Sequence, residues 1–244
     1  TRPAVDIVAP HLQQASLFFM DRLSRAALTL AERATEAGAL VMFEPSGKSD
    51  PKLFAEALQL AHIVKYADQR LSEAGGAMGA GTATLLEVQT MGAEGLRYRH
   101  RLSGKASGWM HLAAVSAPQF VDSCGSGDWC TAGLLSKLAR EGLAGFRSHD
   151  ASRLVEGLRY GQGLAAWNCA FEGARGGMYA VERAQFDGLI GQILEGRLDG
   201  PIPIPKATIA ETVNCPACPP TKSKRRGSVR SASRPRSLSR RNAA

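Results

Sequence analysis

The chain has 244 residues, of which 44% are hydrophobic, enough for a folded core in one medium or two small domains. Its formal charge of +8 comes from the C-terminal end. Residues 221–244 hold nine Lys or Arg and no acidic residue, which leaves 21 basic and 22 acidic residues elsewhere. The composition therefore predicts a basic tail and excludes a basic binding face spread over the folded part.

The cysteines and the apolar runs indicate the compartment. Five cysteines, an odd number scattered along the chain, are typical of reduced thiols in a cytoplasmic protein rather than of a disulfide framework. No apolar run approaches the ~20 residues of a membrane span, and the N-terminus has no signal-peptide pattern. We therefore expect a cytoplasmic protein without membrane contact. The missing initiator Met predicts that the chain begins inside a longer product or after processing.

Short apolar runs alternate with longer periodic segments along the chain. Strands are expected near residues 16–20, 39–43, 61–65, 85–90, 96–101 and 109–115. Helices are expected over residues 24–37, 51–60, about 126–141, 152–172 and 181–194, and a helix followed by a loop over residues 68–83. This alternation indicates parallel βαβ units, so the predicted fold is a three-layer α/β/α sandwich with a mostly parallel sheet.

The amino-acid composition of the chain changes at about Pro201. Six prolines follow within 20 residues, and the last 24 residues alternate Ser with Arg and lack a core-forming pattern. Residues 1–205 are therefore predicted to form the folded domain. Residues 206–244 are predicted to be a mostly disordered Pro/Arg/Ser-rich tail.

A glycine-rich turn that opens into a helix is the strongest chemical signal. In Gly125-Ser126-Gly127-Asp128, unpaired N–H groups and the helix dipole would create an anion site, with a carboxylate beside it. The local pattern also fits a plain turn whose aspartate supplements the helix cap. A second glycine turn, residues 90–95, follows another strand, and in an open α/β sheet both turns would face one crevice.

Residues 122–128, Asp-Ser-Cys-Gly-Ser-Gly-Asp, resemble the Asp-Thr-x-Gly-Ala-Gly-Asp signature of the ribokinase-like (phosphofructokinase-B type) carbohydrate kinases. Residues 90–95, Thr-Met-Gly-Ala-Glu-Gly, are similar to the family's Thr-x-Gly-x-x-Gly nucleotide turn, and Glu44-Pro45-Ser46 stands where the family has Asp-Pro-Asn. The resemblance runs over about residues 10–200 in the family's order. It implies a ribokinase-like fold and ATP-dependent phosphorylation of a sugar hydroxyl, with Mg²⁺.

The resemblance implies roles for the residues of the central motif. Asp128 would be the base that takes the proton from the substrate hydroxyl, at a helix N-terminus that favours negative charge. Gly125, Ser126 and Gly127 would form an anion hole that holds the moving γ-phosphoryl group through backbone N–H groups.

The other implied roles concern the nucleotide and a cation. Thr90, Gly92 and Gly95 would line the nucleotide, because glycine lets the backbone approach a ligand closely. Asp122 matches a family position that helps to hold a monovalent cation.

The sequence departs from the family pattern in two places. The family has Asn-x-x-Glu after one strand, where this chain has Ala67 and Arg70. Arg70 either contacts phosphate directly or is a solvated charge on the surface. No residue is assigned to a metal. The family's early strands, its sugar-holding glycines and its small β lid have no counterpart in the sequence, so we expect an N-terminally incomplete domain.

Two further hypotheses remain open. A catalytically inactive nucleotide fold could serve as a scaffold, with the basic tail binding nucleic acid through counterion release, although the tail could equally be solubilising. Cys215-Pro216-Ala217-Cys218 has zinc-knuckle spacing, but it is a single pair with no histidine after it. The sequence leaves the acceptor and the oligomeric state open.

Overall fold

The computed structural model describes residues 2–47, 50–71, 77–79, 81–102, 104–198 and 200–202. The strands are β1 (Leu17–Met20), β2 (Leu40–Phe43), β3 (Ile63–Ala67), β4 (Leu86–Thr90), β5 (Leu96–His100) and β6 (Met110–Leu112). The helices are α1 (Arg2–Val8), α2 (Arg25–Glu36), α3 (Pro51–Leu60), α4 (Ser126–Leu138), α5 (Gly142–Arg147), α6 (Ala151–Asn168) and α7 (Arg183–Leu194). Two short 3-10 helices span Ala9–Gln14 and Gly92–Glu94.

The six strands form one sheet in chain order, β1-β2-β3-β4-β5-β6. The first four are parallel, and β5 and β6 are added as antiparallel strands. The predicted mostly parallel sheet is confirmed. Parallel neighbours end at the same edge, so the turns that follow β2, β3 and β4 lie side by side.

Helices cover both faces of the sheet. Val41 and Phe43 of β2 pack with α2 and α3, whereas Leu40 and Met42 pack with α4, α5 and α6. All four side chains are completely buried, and successive strand residues point to opposite faces. The three-layer α/β/α sandwich is therefore confirmed, and a strand covered on both faces is apolar throughout.

The predicted helix over residues 152–172 ends earlier, at Asn168. In a longer helix the N–H of Gly173 would bond to the Cys169 carbonyl. Instead it bonds to Asp122 Oδ2 at 2.9 Å, and the Cys169 carbonyl accepts the N–H of Val121 at 2.8 Å. The segment around Asp122 thus takes the hydrogen bonds that would have extended α6.

Other predictions were incomplete or lie outside the described residues. Helices α1 and α5 were not predicted. Within 68–83, residues 68–71, 77–79 and 81–83 form turns and irregular backbone instead of a helix. The predicted tail, 206–244, lies outside the described residues together with Cys215 and Cys218, so the domain boundary and the disorder stay predictions. No described helix combines the length and apolar character that crossing a bilayer requires.

Helices α4 and α6 cross at a pair of glycines. A Cβ atom on Gly133 would lie 2.7 Å from the Cα of Gly161, and one on Gly161 would lie 2.6 Å from the carbonyl oxygen of Cys130. Any side chain at either position would force the two backbones apart. The crossing holds the N-terminal half of α4 tightly against α6.

Candidate active site

The loop before α4 is shaped by Asp122. Its Oδ1 accepts the N–H of Cys124 at 3.0 Å and its Oδ2 accepts that of Gly173 at 2.9 Å. These backbone hydrogen bonds, that of Cys124 first, lower the pKa of Asp122 because they favour the charged form. The carboxylate therefore ties the loop to the segment that follows α6.

Gly125 turns the chain into α4. It has φ of 76°, in the left-handed region, and a Cβ atom there would lie 2.7 Å from the Cβ of Ala174. Only glycine meets both constraints without displacement of the neighbouring backbone. Within the described part of the chain, the N–H groups of Gly127 and Asp128, which open the helix, have no acceptor. Two backbone donors are thus left for a ligand.

A cavity of about 460 Å³ lies between the turn that follows β4 and the first turn of α4. Thr90, Gly92 and Gly95 line it on one side, and Ser126 and Gly127 on the other. The two glycine turns of the sequence therefore face one another across a single cavity. Its volume is in the range of small-ligand sites.

The two glycines of the 90–95 turn differ in their surroundings. Gly95 has φ of 99°, and a Cβ atom there would lie 2.2 Å from the carbonyl oxygen of Leu112. Gly92 has φ of 57°, and a Cβ atom there would meet nothing within 4 Å. Gly95 is needed for the close passage of the backbone after β6, whereas the space beside Gly92 is open.

Asp128 faces a different space. Its exposed side chain lines a groove of about 970 Å³ between α4, α6 and α7, and the 460 Å³ cavity lies on the other side of the same helical turn. Arg70 is exposed in the turn after β3 and lines neither space. Asp122 and Gly125 also line neither space. They fix the backbone conformation of the loop before α4.

A buried polar cluster supports the first turn of α4. The Nζ atom of Lys65 lies 2.6 Å from Glu44 Oε1 and 3.3 Å from the Gly127 carbonyl oxygen. The hydroxyl of Thr131 lies 2.6 Å from Glu44 Oε2 and 3.1 Å from the same carbonyl. Sequence reasoning placed Glu44 only by resemblance and missed Lys65 and Thr131. The one available signal was a lysine inside an otherwise apolar strand.

Two cysteines adjoin the cavity. Cys130 and Cys169 both line it, and burial raises the pKa of each thiol. A raised pKa keeps a thiol protonated and unreactive. Both therefore act as small packing residues of the wall.

The chain belongs to the pfkB family of carbohydrate kinases, whose family model matches residues 7–179. Among solved structures, it resembles a ribokinase from Giardia lamblia with a TM-score of 0.64 and 16% identity, over 78% of this chain and 63% of that one. A ligand-free nucleoside kinase from Burkholderia thailandensis matches with a TM-score of 0.53 and 19% identity, over 76% and 60% of the two chains.

A third solved structure, phosphofructokinase-2 from Escherichia coli in complex with potassium, matches with a TM-score of 0.54 and 15% identity. That match covers 78% of this chain and 62% of the other. These likenesses show the fold, and the chain spans about 60% of the length of the three structures. No curated protein matches the chain.

Proposed function

We propose that the protein transfers the γ-phosphoryl group of ATP to a hydroxyl of a sugar or a related small molecule. The observation that carries the proposal is the single cavity shared by the 90–95 turn and the first turn of α4. Thr90, Gly92 and Gly95 would line the nucleotide at one side. Gly127 and Asp128 would present their unpaired N–H groups to its phosphates at the other, whereas the N–H of Ser126, which was expected in the anion hole, bonds to the Ser123 carbonyl oxygen at 3.1 Å.

Asp128 is the proposed base. It directly follows Gly127, but its side chain faces the groove and not the cavity, so the phosphoryl group and the acceptor would have to meet at the first turn of α4. An acceptor hydroxyl would reach Asp128 from the groove between α4, α6 and α7, on the side away from the nucleotide cavity. The carboxylate would take the hydroxyl proton as the new O–P bond forms and the bond to ADP breaks.

The buried cluster would hold the anion hole in place. Glu44 accepts hydrogen bonds from Lys65 and Thr131, and both also contact the Gly127 carbonyl. This fixes the peptide whose neighbouring N–H groups would bind phosphate. Preorganised donors of this kind stabilise charge in the transition state without moving.

The residues fit the two proposed cations to different extents. Two side chains offer oxygens of the type that a monovalent cation binds. One is the carboxylate of Asp122, whose pKa is lowered. The other is the amide of Asn168, whose buried Oδ1 accepts a hydrogen bond from no described residue. Among described residues, no group of three His, Cys, Asp or Glu side chains is placed to hold a metal ion. Mg²⁺ would therefore rely on the phosphates and water, as it commonly does, and would neutralise phosphate charge when bound.

The test uses the protein with ATP, Mg²⁺ and a panel of sugars and nucleosides, with ADP formation as the readout. Turnover of at least one acceptor is expected. Asp128→Asn should lower kcat by about 10²- to 10⁴-fold, at an unchanged Tm. Asp6→Asn, an exposed aspartate in α1, is the matched control and should keep full activity. Full turnover in the Asp128→Asn variant contradicts the proposed mechanism.

A second candidate is a nucleotide-binding scaffold without turnover. Arg70, at a position where the family has glutamate, is exposed and lines neither space, and Ala67 replaces the family's asparagine. ATP binding in a calorimeter without ADP formation for any acceptor would favour this candidate. RNA binding that weakens with salt and is lost when residues 221–244 are deleted would add the nucleic-acid function proposed for the tail.

The proposed compartment is the cytoplasm, where ATP is available. The three described cysteines, Cys124, Cys130 and Cys169, are free thiols, as is common in a reducing compartment.

A further inference from the structure

The groove of about 970 Å³ between α4, α6 and α7 holds a cluster of charged side chains around Tyr160, apart from Asp128. Lys137 follows Asp128 by nine residues on α4, which is about 13 Å along a helix axis. The charged residues that line the groove in this cluster are Lys137, Arg140, Arg159 and Arg183, which are basic, and Glu156 and Asp187, which are acidic. The cluster around Tyr160 therefore has an excess of positive charge.

Both carboxylates of the cluster are already paired with a cation. Glu156 lies 2.6 Å from Arg153, which does not line the groove, and 3.9 Å from Lys137. Asp187 lies 3.1 Å from Arg183. Because part of this pairing comes from a cation outside the groove, the carboxylates do not neutralise the positive charge inside it.

Two arginines of the cluster keep most of their hydrogen-bond donors. The Nε atom of Arg140 donates to the Ser136 carbonyl oxygen at 2.8 Å, and Nη2 of Arg159 donates to the Leu194 carbonyl oxygen at 3.2 Å. Neither arginine forms an ion pair with a carboxylate in the described part of the chain. A guanidinium group has five N–H donors, so both arginines can still bind an anion.

Tyr160 lies among these charges. The Nζ atom of Lys137 is 4.4 Å from the centre of its ring, close enough for a cation–π contact. Burial raises the pKa of Tyr160, and Asp187 raises it further. The charges of Arg183 and Arg140 lower it, so side chains from both neighbouring helices reach the surroundings of the phenol.

We infer that the cluster around Tyr160 is a binding site for a phosphate group of a ligand in the groove. Arg140 and Arg159 would each offer a planar pair of donors, which matches two phosphate oxygens, and Lys137 would add a point charge. The same chemistry fits a phosphate carried by an acceptor that extends along the groove and a phosphate on a separate small molecule. The inference does not depend on the proposed kinase activity.

The experiment titrates inorganic phosphate into the whole chain at constant ionic strength and follows the backbone amides in proton–nitrogen correlation spectra, which locate the binding. Saturable shifts are expected at Lys137, Tyr160 and Arg183. Arg140→Gln, which removes the charge, should raise the Kd about 10-fold, as expected for one charge-assisted hydrogen bond. Arg22→Gln, at an exposed arginine that lines neither space, is the matched control and should leave the Kd unchanged.

Three results would overturn the inference. They are the absence of saturable shifts around Tyr160, shifts confined to Gly127 and Asp128 at the start of α4, and a Kd that neither Arg140→Gln nor Arg159→Gln changes. Phosphate binding to the cluster without ADP formation for any acceptor supports the site and overturns the kinase proposal. ADP formation without phosphate binding to the cluster does the reverse.

The source of the phosphate group is decided by ADP formation with phosphorylated and unphosphorylated sugars. If the acceptor carries the phosphate, Arg140→Gln raises the KM of the phosphorylated sugar and leaves that of its unphosphorylated counterpart unchanged. An unchanged KM for every acceptor, with inorganic phosphate still bound more weakly by the variant, assigns the site to a separate phosphorylated molecule. Both results support a phosphate site at the cluster.

Discussion

The ammonium group of Lys65 lies 2.6 Å from the carboxylate of Glu44, and the two side chains differ in exposure, 1% for Lys65 and 20% for Glu44. The pair joins the end of β2 and the middle of β3 to the Gly127 carbonyl at the start of α4. Because the lysine has almost no access to water, its charge depends on this carboxylate more than the carboxylate depends on the lysine.

This asymmetry predicts unequal effects of removing each partner. Glu44→Gln should lower the free energy of unfolding by about 3 kcal/mol, because it leaves a buried ammonium group uncompensated. Lys65→Met should cost less, since Glu44 can still be hydrated. The double variant should be more stable than Glu44→Gln alone, because it buries no unpaired charge. Urea unfolding measures all three. An equal decrease in the free energy of unfolding in the two single variants would contradict the unequal dependence of the two charges on each other.

Substitutions of the two glycines in the 90–95 turn should have different effects, one mainly on stability and the other mainly on ATP binding. Gly95→Ala should lower the free energy of unfolding by about 3 kcal/mol, because its Cβ atom would overlap the backbone at Leu112. Gly92→Ala should cost only about 1 kcal/mol, for its positive φ, and should weaken ATP binding because the methyl group would enter the cavity. Urea unfolding and calorimetry with ATP provide the two readouts. Unchanged ATP affinity in a folded Gly92→Ala variant would argue against a nucleotide beside Gly92.

His62 predicts a dependence of stability on pH. Burial, with a smaller effect of Arg147, lowers its pKa from 6.5 to about 4, and its Nδ1 accepts the N–H of Val41 at 2.9 Å. Between these two values the unfolded chain binds a proton that the folded protein does not. The free energy of unfolding should therefore fall as the pH falls from 6.5 to 4, by on the order of 3 kcal/mol.

The variant His62→Asn tests this origin, because its amide oxygen can still accept the N–H of Val41. Its overall stability should be lower, yet the loss of stability between pH 6.5 and 4 should be smaller than in the wild type. His11→Asn, an exposed histidine, should keep the wild-type pH dependence. An identical pH dependence in wild type and His62→Asn would show that other groups cause it.

The proposed cation site predicts a specific ion dependence. Initial rates of phosphoryl transfer should be higher in potassium than in tetramethylammonium at equal ionic strength, because the larger ion cannot approach oxygen ligands closely. Asp122→Ala should remove this difference, and it should lower activity in both salts since the loop loses its bonds to Cys124 and Gly173. Potassium activation that persists in Asp122→Ala would place the cation elsewhere.

The sequence predicted those features that depend on local pattern. The apolar run of residues 39–43 predicted a strand, which the structure has as β2. The periodic segment 24–37 predicted a helix, which the structure has as α2, and Ser24 caps it by accepting the N–H of Ala27. The short helix α5 was missed because six residues are too few for a clear helical period.

The features that were missed depend on contacts between distant parts of the chain. The end of α6 is set by Asp122, 51 residues before Gly173. The partners of Glu44 are 21 and 87 residues away. The cluster around Tyr160 brings together residues of α4, α6 and α7, and helical periodicity places a residue on a face without fixing its contacts with other helices.

The glycine crossing of α4 and α6 has a consequence for ligand size. The proposed phosphate-binding turn opens α4, and the backbones of α4 and α6 approach each other closely at Gly133 and Gly161. The shortest distances at this crossing are to backbone atoms, 2.7 Å from a Cβ on Gly133 to the Cα of Gly161 and 2.6 Å from a Cβ on Gly161 to the Cys130 carbonyl oxygen, and backbone atoms have no rotamers to change. The proposed phosphate-binding turn is therefore held at a constant distance from the α6 wall of the cavity, and this distance limits the length of a ligand that can contact both.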